Sequence, residues 1–173
     1  ISLDEEAIEK HTRAAFYSYS GPVALPLNRA ELDGDLVNFS PHNVREGFHA
    51  LYSLVAYRDS AKAREMAEAS IESIFEYWDP EQDWKSEELR RKYGIIVYEE
   101  QSFIVGLARA IGPLVKYFRT TGYGPALELA LVLKDKVING WFAADGQYDI
   151  DIFGTHTHSA TCVMSGLAQL ADL

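Results

Sequence analysis

The sequence predicts an all-α protein built from antiparallel helical hairpins. Three observations support this fold class: amphipathic stretches with a period of 3.6 residues, short polar turns between them, and a scarcity of strand-like alternation. The segments 95–98 and 148–153 have strand-like composition. They are short enough to be extended entries into loops, so no sheet is expected.

The clearest amphipathic helix lies within residues 59–78. Its apolar residues recur at helical spacing, and its glutamates lie off the apolar stripe. Asp59 or Ser60 supplies the N-cap, and the helix ends before Pro80, because a residue preceding proline is pushed out of the α region. A second helix over 44–57 precedes it across a short polar break, so the two helices form a hairpin.

Further helices are predicted over residues 103–118, over 126–141, and from Thr157 or Ser159 to the end of the chain. The first of these is expected to kink at Gly112-Pro113, because proline removes an internal hydrogen bond. Shifting the sequence against itself by 60 positions aligns Leu51 with Ile111, and a shift of 63 positions, beyond a longer turn, aligns Trp78 with Trp141. Such recurrence predicts that the hairpins are repeats of one unit.

The composition excludes several classes of partner. The chain has 26 acidic and 16 basic residues and a formal net charge of −10, which disfavours binding to a phosphate backbone. No apolar run approaches the roughly 20 residues of a membrane span. Cys162 is the only cysteine, so neither an internal disulfide nor a multi-thiolate zinc site is possible. We therefore expect no nucleic-acid partner and no membrane partner.

The ends of the sequence suggest a piece of a longer protein. It begins with Ile1 rather than methionine, and Leu173 falls inside an unfinished helical pattern. We expect an N-terminal helix and loop segment over residues 1–40, followed by the repeated hairpins of one domain over 41–173. The compartment is left open by these observations.

One stretch carries a family resemblance. Phe118-Arg-Thr-Thr-Gly-Tyr-Gly-Pro-Ala-Leu-Glu-Leu-Ala130, together with residues 158–173, resembles the turns and helices of the six-hairpin (α/α) toroid glycosidase superfamily. The likeness spans roughly residues 40–173. It implies less than half of a toroid, whose natural partner is the remainder of its own domain, and a carbohydrate substrate. Members include glycoside hydrolases, unsaturated-uronate hydrolases, polysaccharide lyases and sugar epimerases.

The same resemblance places a sugar site at the starts of the inner helices. Polar clusters occur at three such starts, over residues 41–46, 98–101 and 155–159. Glycoside hydrolysis uses a carboxylic acid and a carboxylate, and Glu100 and Asp151 are the leading candidates for this pair. Glu99 is the alternative to Glu100, because adjacent helical positions point about 100° apart. Acidic residues at helix starts also serve simply to complement the helix dipole.

Histidines supply a second set of candidates. His156 and His158 can hydrogen-bond sugar hydroxyls or move a proton near neutral pH, and His158 is the candidate for a catalytic role. No convincing third metal ligand accompanies them, so neither a metal nor another cofactor is expected. Cys162 is expected to be a small buried thiol. A nucleophile formed by Cys162 and His158 is the less favoured alternative. The other predicted substrate-binding residues are His42, Arg45, Trp84 and Tyr148.

Three functions are compatible with these residues. The first is a glycoside hydrolase that uses carboxylate acid–base chemistry. The second is a sugar epimerase or polysaccharide lyase in which histidine abstracts the proton. The third is a non-catalytic helical-repeat module that binds proteins, for which an open helical surface suffices.

Overall fold

A computed structural model of the chain describes residues 4–98, 103–148, 151 and 156–173. Over these residues the chain is mostly helical, in agreement with the periodicity. The α-helices are α1 (Glu5–Ser18), α2 (Asn43–Arg58), α3 (Ala61–Tyr77), α4 (Ser86–Tyr93), α5 (Ile111–Thr121), α6 (Gly124–Trp141) and α7 (Thr157–Ala171), and a 3-10 helix (Leu107–Ala110) leads into α5.

Short turns join the helices in pairs. Asp59 ends α2 in the left-handed conformation, and the Ser60 side chain caps α3 by accepting a hydrogen bond from the Ala63 N–H at 3.2 Å. Gly122, also left-handed, ends α5 before α6 begins. None of the helices among the described residues has the length and apolar character that crossing a bilayer requires.

The expected kink at Gly112-Pro113 is absent, and the helix predicted over 103–118 is divided differently. A 3-10 helix ends at Ala110, and α5 starts afresh at Ile111. Pro113 therefore lies in the first turn of α5, where the backbone N–H groups have no intrahelical acceptor. A proline at that position removes no hydrogen bond and bends nothing.

The helices pack in two rows. Helix α2 contacts α3 and α5, helix α5 contacts α6 and α7, and α3 contacts α6. Helices α2, α5 and α7 thus lie side by side in one row, with α3 and α6 behind them. The 3-10 helix contacts both α2 and α7 and leads directly into α5. It therefore lies at the end of the first row at which α5 begins.

The apolar faces of these helices form one continuous core. Phe48 and Leu51 of α2, Ile71 of α3, Leu114 of α5 and Leu133 of α6 have no exposed surface. Burying one such side chain contributes about 1.5–3 kcal/mol before the entropy cost of ordering the chain. The core therefore fixes the positions of the helices that carry the polar residues of the candidate site.

The expectation that no sheet forms is wrong. Strands β1 (Leu27–Arg29), β2 (Leu36–Phe39) and β5 (Ile96–Val97) form a sheet in the order β1-β2-β5, and β3 (Trp78–Asp79) pairs with β4 (Asp83–Trp84). The β1–β2 pair is antiparallel, with Leu27 opposite Phe39, whereas β5 runs parallel to β2. Strands of two to four residues are too short to show a two-residue period, which is why the sequence pattern missed them.

Candidate functional site

A buried arginine is the centre of a polar cluster at the start of α2. The Arg109 side chain has no exposed surface. Its Nη1 lies 2.7 Å from Nδ1 and 2.9 Å from Nε2 of His42, and its Nη2 lies 2.9 Å from Oε1 of Glu46. Arg45 Nη1 lies 2.7 Å from the same Glu46 oxygen. We call these four residues, His42, Arg45, Glu46 and Arg109, the arginine cluster.

The local sequence explains how the cluster forms. His42 and Glu46 are four residues apart at the start of α2, so their side chains lie on one face of the helix. His42 precedes α2 and makes no capping bond with its side chain, which leaves the ring to meet Arg109. Glu46 in the first turn also complements the helix dipole. A buried guanidinium needs such partners, because an unpaired buried charge is costly.

The cluster fixes the protonation of its members. Burial, and then the charge of Arg109, lower the pKa of His42. An arginine only donates hydrogen bonds, so the ring nitrogen that accepts from Arg109 carries no proton. Burial raises the pKa of Glu46, but hydrogen bonding and charge from Arg45 and Arg109 outweigh it and bring the pKa below the ordinary glutamate value. His42 is therefore neutral and Glu46 ionised near neutral pH.

A cavity of about 340 Å³ opens beside the cluster. It is lined by Arg45, His49, Arg109, Lys116 and His158, together with Cys162 and small or uncharged polar residues. Burial and then the charges of Arg45 and Lys116 lower the pKa of His49, which is neutral at pH 7 as a result. We call this space the basic cavity.

A second cavity, of about 350 Å³, has aromatic walls. The rings of Trp78 and Phe103 stack at 5.8 Å with an interplanar angle of 9°, and Trp84 meets Phe39 edge-on at 4.6 Å. These contacts hold the aromatic faces in place. Tyr98 also lines this space, and Gln82, Asp83 and Ser86 supply its polar groups. We call it the aromatic cavity.

The same two elements build both cavities. Pro41, just before α2, lines the aromatic cavity, and Arg45 in the first turn of α2 lines the basic one. In the 3-10 helix, Leu107 lines the aromatic cavity and Arg109 the basic one. The arginine cluster therefore lies on the elements that connect the two spaces.

Of the carboxylates predicted to act in catalysis, Glu99 and Glu100 lie outside the described residues. Asp151 is exposed, and the residues before and after it in the sequence lie outside the described residues. Among the predicted substrate-binding residues, Trp84 lines the aromatic cavity, while Tyr148 is 42% exposed and forms an antiparallel bridge with Phe142.

The two neighbouring histidines have different surroundings. His156 caps α7, because its Nδ1 accepts a hydrogen bond from the Ser159 N–H at 3.2 Å. His158 lines the basic cavity, with Nε2 at 3.6 Å from the Cys162 Sγ. Arg45 of α2 and His158 of α7 line the same cavity, so the starts of these two helices lie near each other.

Sequence reasoning missed Arg109, Lys116 and His49 and left Glu46 out of the site. A signal for Arg109 was present, because it is the one charged residue in the otherwise apolar stretch 103–115. Such a residue needs a buried partner. Nothing in the sequence shows that the partner lies in α2.

Among the described residues, no group of three or more histidine, cysteine, aspartate or glutamate side chains is arranged to hold a metal ion. Comparison of the chain with protein-family models, with curated proteins and with solved structures finds no match. The function is therefore argued from the two cavities and the cluster between them.

Proposed function

We propose that this chain belongs to a carbohydrate-active enzyme and that the aromatic cavity binds sugar rings. The observation that carries the proposal is the combination of aromatic side chains with a few polar groups in one concave space. Trp78, Trp84 and Phe103 contribute apolar lining to this space, and Gln82 and Asp83 contribute hydrogen-bonding atoms. Such a lining suits a ligand whose faces are apolar and whose edges carry hydroxyl groups.

The order of helix packing supports an incomplete (α/α) toroid. In that proposal α2, α5 and α7 are the inner helices, and α3 and α6 are the outer ones. Their contacts follow the required sequence, since each inner helix touches the next inner helix. The polar starts of inner helices would then meet at one rim, which agrees with Arg45 of α2 and His158 of α7 lining one cavity.

The leading chemistry is glycoside hydrolysis by paired carboxylates. Glu100, or Glu99 in its place, and Asp151 remain the proposed acid and base. Their proposed role rests on the need of glycoside hydrolysis for two carboxylates and, for Glu99 and Glu100, on a place at a predicted helix start. Tyr98 and Phe103, which precede and follow residues 99–102 in the sequence, line the aromatic cavity.

A specific observation favours a second chemistry, that of a sugar epimerase or polysaccharide lyase. A general base must be unprotonated at the working pH, and His49 meets that condition inside the basic cavity. Arg45 and Lys116 line the same space and would stabilise the anion formed when a proton is removed. His42 suits this role less, because Arg109 already occupies its accepting nitrogen.

Binding of neutral and uronate oligosaccharides, measured by calorimetry, tests the proposal. The variant Trp84→Ala removes an aromatic wall, and Tyr57→Ala is its matched control because Tyr57 is 75% exposed and lies outside the cavity. We expect Trp84→Ala to weaken binding about tenfold or more, and the control to bind as the wild type does. Absence of binding to every oligosaccharide would contradict the proposal and favour the protein-binding module.

Product analysis separates the two chemistries. A hydrolase releases saturated reducing ends and loses activity in Glu100→Gln. A lyase releases unsaturated uronates, whereas an epimerase leaves the chain length unchanged. In either of these, His49→Gln or His158→Gln would abolish activity while Glu100→Gln would not.

A further inference from the structure

The basic cavity concentrates positive charge in an acidic chain. The whole chain carries a formal net charge of −10, yet the lining residues of this cavity include Arg45, Arg109 and Lys116 and neither an aspartate nor a glutamate. Like charges brought together in this way repel one another. A cavity of this composition is best explained by an anion that occupies it during function.

The neighbouring carboxylate compensates only part of this charge. Arg45 and Arg109 share the same oxygen of Glu46, at 2.7 and 2.9 Å. Lys116 forms no ion pair within the described part of the chain. Arg45, Arg109 and Lys116 against one carboxylate leave an excess of positive charge, with the half-buried His42 and His49 neutral.

The buried Arg109 guanidinium has unused hydrogen-bonding capacity. Its side chain has no exposed surface, and its Nε has no hydrogen-bond partner among the described residues. A buried N–H donor without a partner is costly, more so when it belongs to a charged group. Arg109 lines the basic cavity, so an oxygen-bearing anion there would lie close enough to stabilise its charge, although the side chain exposes no surface for direct contact.

We propose that the basic cavity binds an oxyanionic group of the ligand, either a carboxylate or a sulfate or phosphate ester. Guanidinium groups match the geometry of paired oxygens, and lysine adds an adaptable point charge. Resting on the proposed function, this assigns an acidic carbohydrate as the substrate class.

The spacing of the two cavities supports one ligand that reaches both. Pro41 and Arg45 lie on either side of the start of α2 at Asn43. Leu107 and Arg109 are two positions apart in the 3-10 helix, a rise of roughly 4 Å. An acidic sugar would place its ring against the aromatic cavity and its charged group in the basic cavity.

Calorimetric titration of the 173-residue chain with sodium sulfate tests the anion site without any sugar. Titration with sodium chloride at equal ionic strength accounts for screening. Lys116→Gln removes one cation from the lining of the basic cavity, and Lys10→Gln removes an exposed lysine of α1 as the control. We expect Lys116→Gln to weaken sulfate binding about tenfold and the control to leave it unchanged. Sulfate binding that is undetectable, or equal in both variants, would overturn the site.

Competition with sugars tests the substrate class. D-glucuronate, glucose 6-sulfate and glucose 6-phosphate are titrated beside D-glucose, so that the carboxylate and ester sources are distinguished. We expect at least one acidic sugar to displace sulfate and to bind more tightly than D-glucose. Neutral oligosaccharides that bind while all acidic sugars fail would overturn the acidic carbohydrate as the substrate class and leave the proposed function standing. Sulfate binding without binding of any sugar would keep the anion site and overturn the carbohydrate assignment.

Discussion

Arg109 and Glu46 form an ion pair whose two members are buried very unequally. Their Nη2 and Oε1 atoms are 2.9 Å apart, yet the Arg109 side chain is 0% exposed and the Glu46 side chain is 51% exposed. The buried guanidinium depends on this carboxylate, because water does not reach it. The carboxylate depends less on the arginine, since solvent and Arg45 also stabilise it.

This asymmetry predicts unequal effects of removing each partner. Glu46→Gln leaves Arg109 with only neutral partners, and we expect a loss of about 1–2 kcal/mol in the free energy of unfolding, less than for a fully buried pair. Arg109→Met removes the buried charge and therefore its need for a partner. The free energy of unfolding of the double variant Glu46→Gln/Arg109→Met should thus fall by less than the sum of the two single losses. Urea denaturation of the four proteins measures the coupling. A Glu46→Gln variant within about 0.5 kcal/mol of wild type would contradict the prediction.

His42 of the arginine cluster and the nearby His49 also predict how the free energy of unfolding depends on pH. In the folded chain the pKa values of His42 and His49 are lowered, first by burial and then by the neighbouring cations. The unfolded chain therefore binds more protons than the folded chain below about pH 6.5. The stabilising contribution is fully present above that pH and is lost as the pH falls through the folded-state pKa values.

Chemical denaturation at several values between about pH 5 and pH 7 measures this dependence. We expect the free energy of unfolding to rise with pH over this range, and the rise to be smaller in His49→Gln. His11→Gln, which replaces an exposed histidine of α1, is the control. A slope that is the same in wild type and His49→Gln would show that His49 is not the group responsible.

The helices could be predicted from the sequence because their signals are local. A run such as α3 carries its apolar stripe, its Ser60 cap and its terminating proline within about 20 residues. The sheet could not be predicted in the same way. Strand β5 is two residues long and pairs with β2, which is far away in the sequence. Its formation depends on tertiary packing rather than on local preference.

The candidate site shows the same division between local and long-range information. The polar helix starts were visible in the sequence and include His42 and Arg45. The partners of Arg109 were not, because Glu46 and His42 lie 63 and 67 positions earlier in the chain. A charged residue in an apolar stretch indicates that a buried partner is needed, but only the packing of the 3-10 helix against α2 identifies that partner.

His156 illustrates a structural role at a predicted ligand-binding position. Its ring nitrogen accepts the hydrogen bond that caps α7. We expect His156→Ala to lower the free energy of unfolding by about 1 kcal/mol, and His156→Asn, which retains a capping acceptor, to lower it by much less. Thermal denaturation of both variants provides the measurement. If Asn and Ala at this position were equally destabilising, the capping role would be wrong.

The contact between α5 and α7 depends on a glycine. A Cβ atom at Gly166 would lie 2.9 Å from the Gly112 backbone N and 3.0 Å from the Ile111 Cβ. Neither atom belongs to the end of a flexible side chain, so the two helices would have to separate. We therefore expect Gly166→Ala to cost about 1–3 kcal/mol, in spite of the better helix propensity of alanine.

Gly140 of α6 is the matched control, because a Cβ atom there meets nothing within 4 Å. In Gly140→Ala the helix-propensity gain is unopposed, and we expect the free energy of unfolding to rise by about 0.4–1 kcal/mol. The two variants should thus change stability in opposite directions in the same denaturation experiment. Stabilisation by both alanines would mean that α5 and α7 do not approach as closely as the Gly112–Gly166 contact requires, and the row formed by α2, α5 and α7 would lose its tightest packing point.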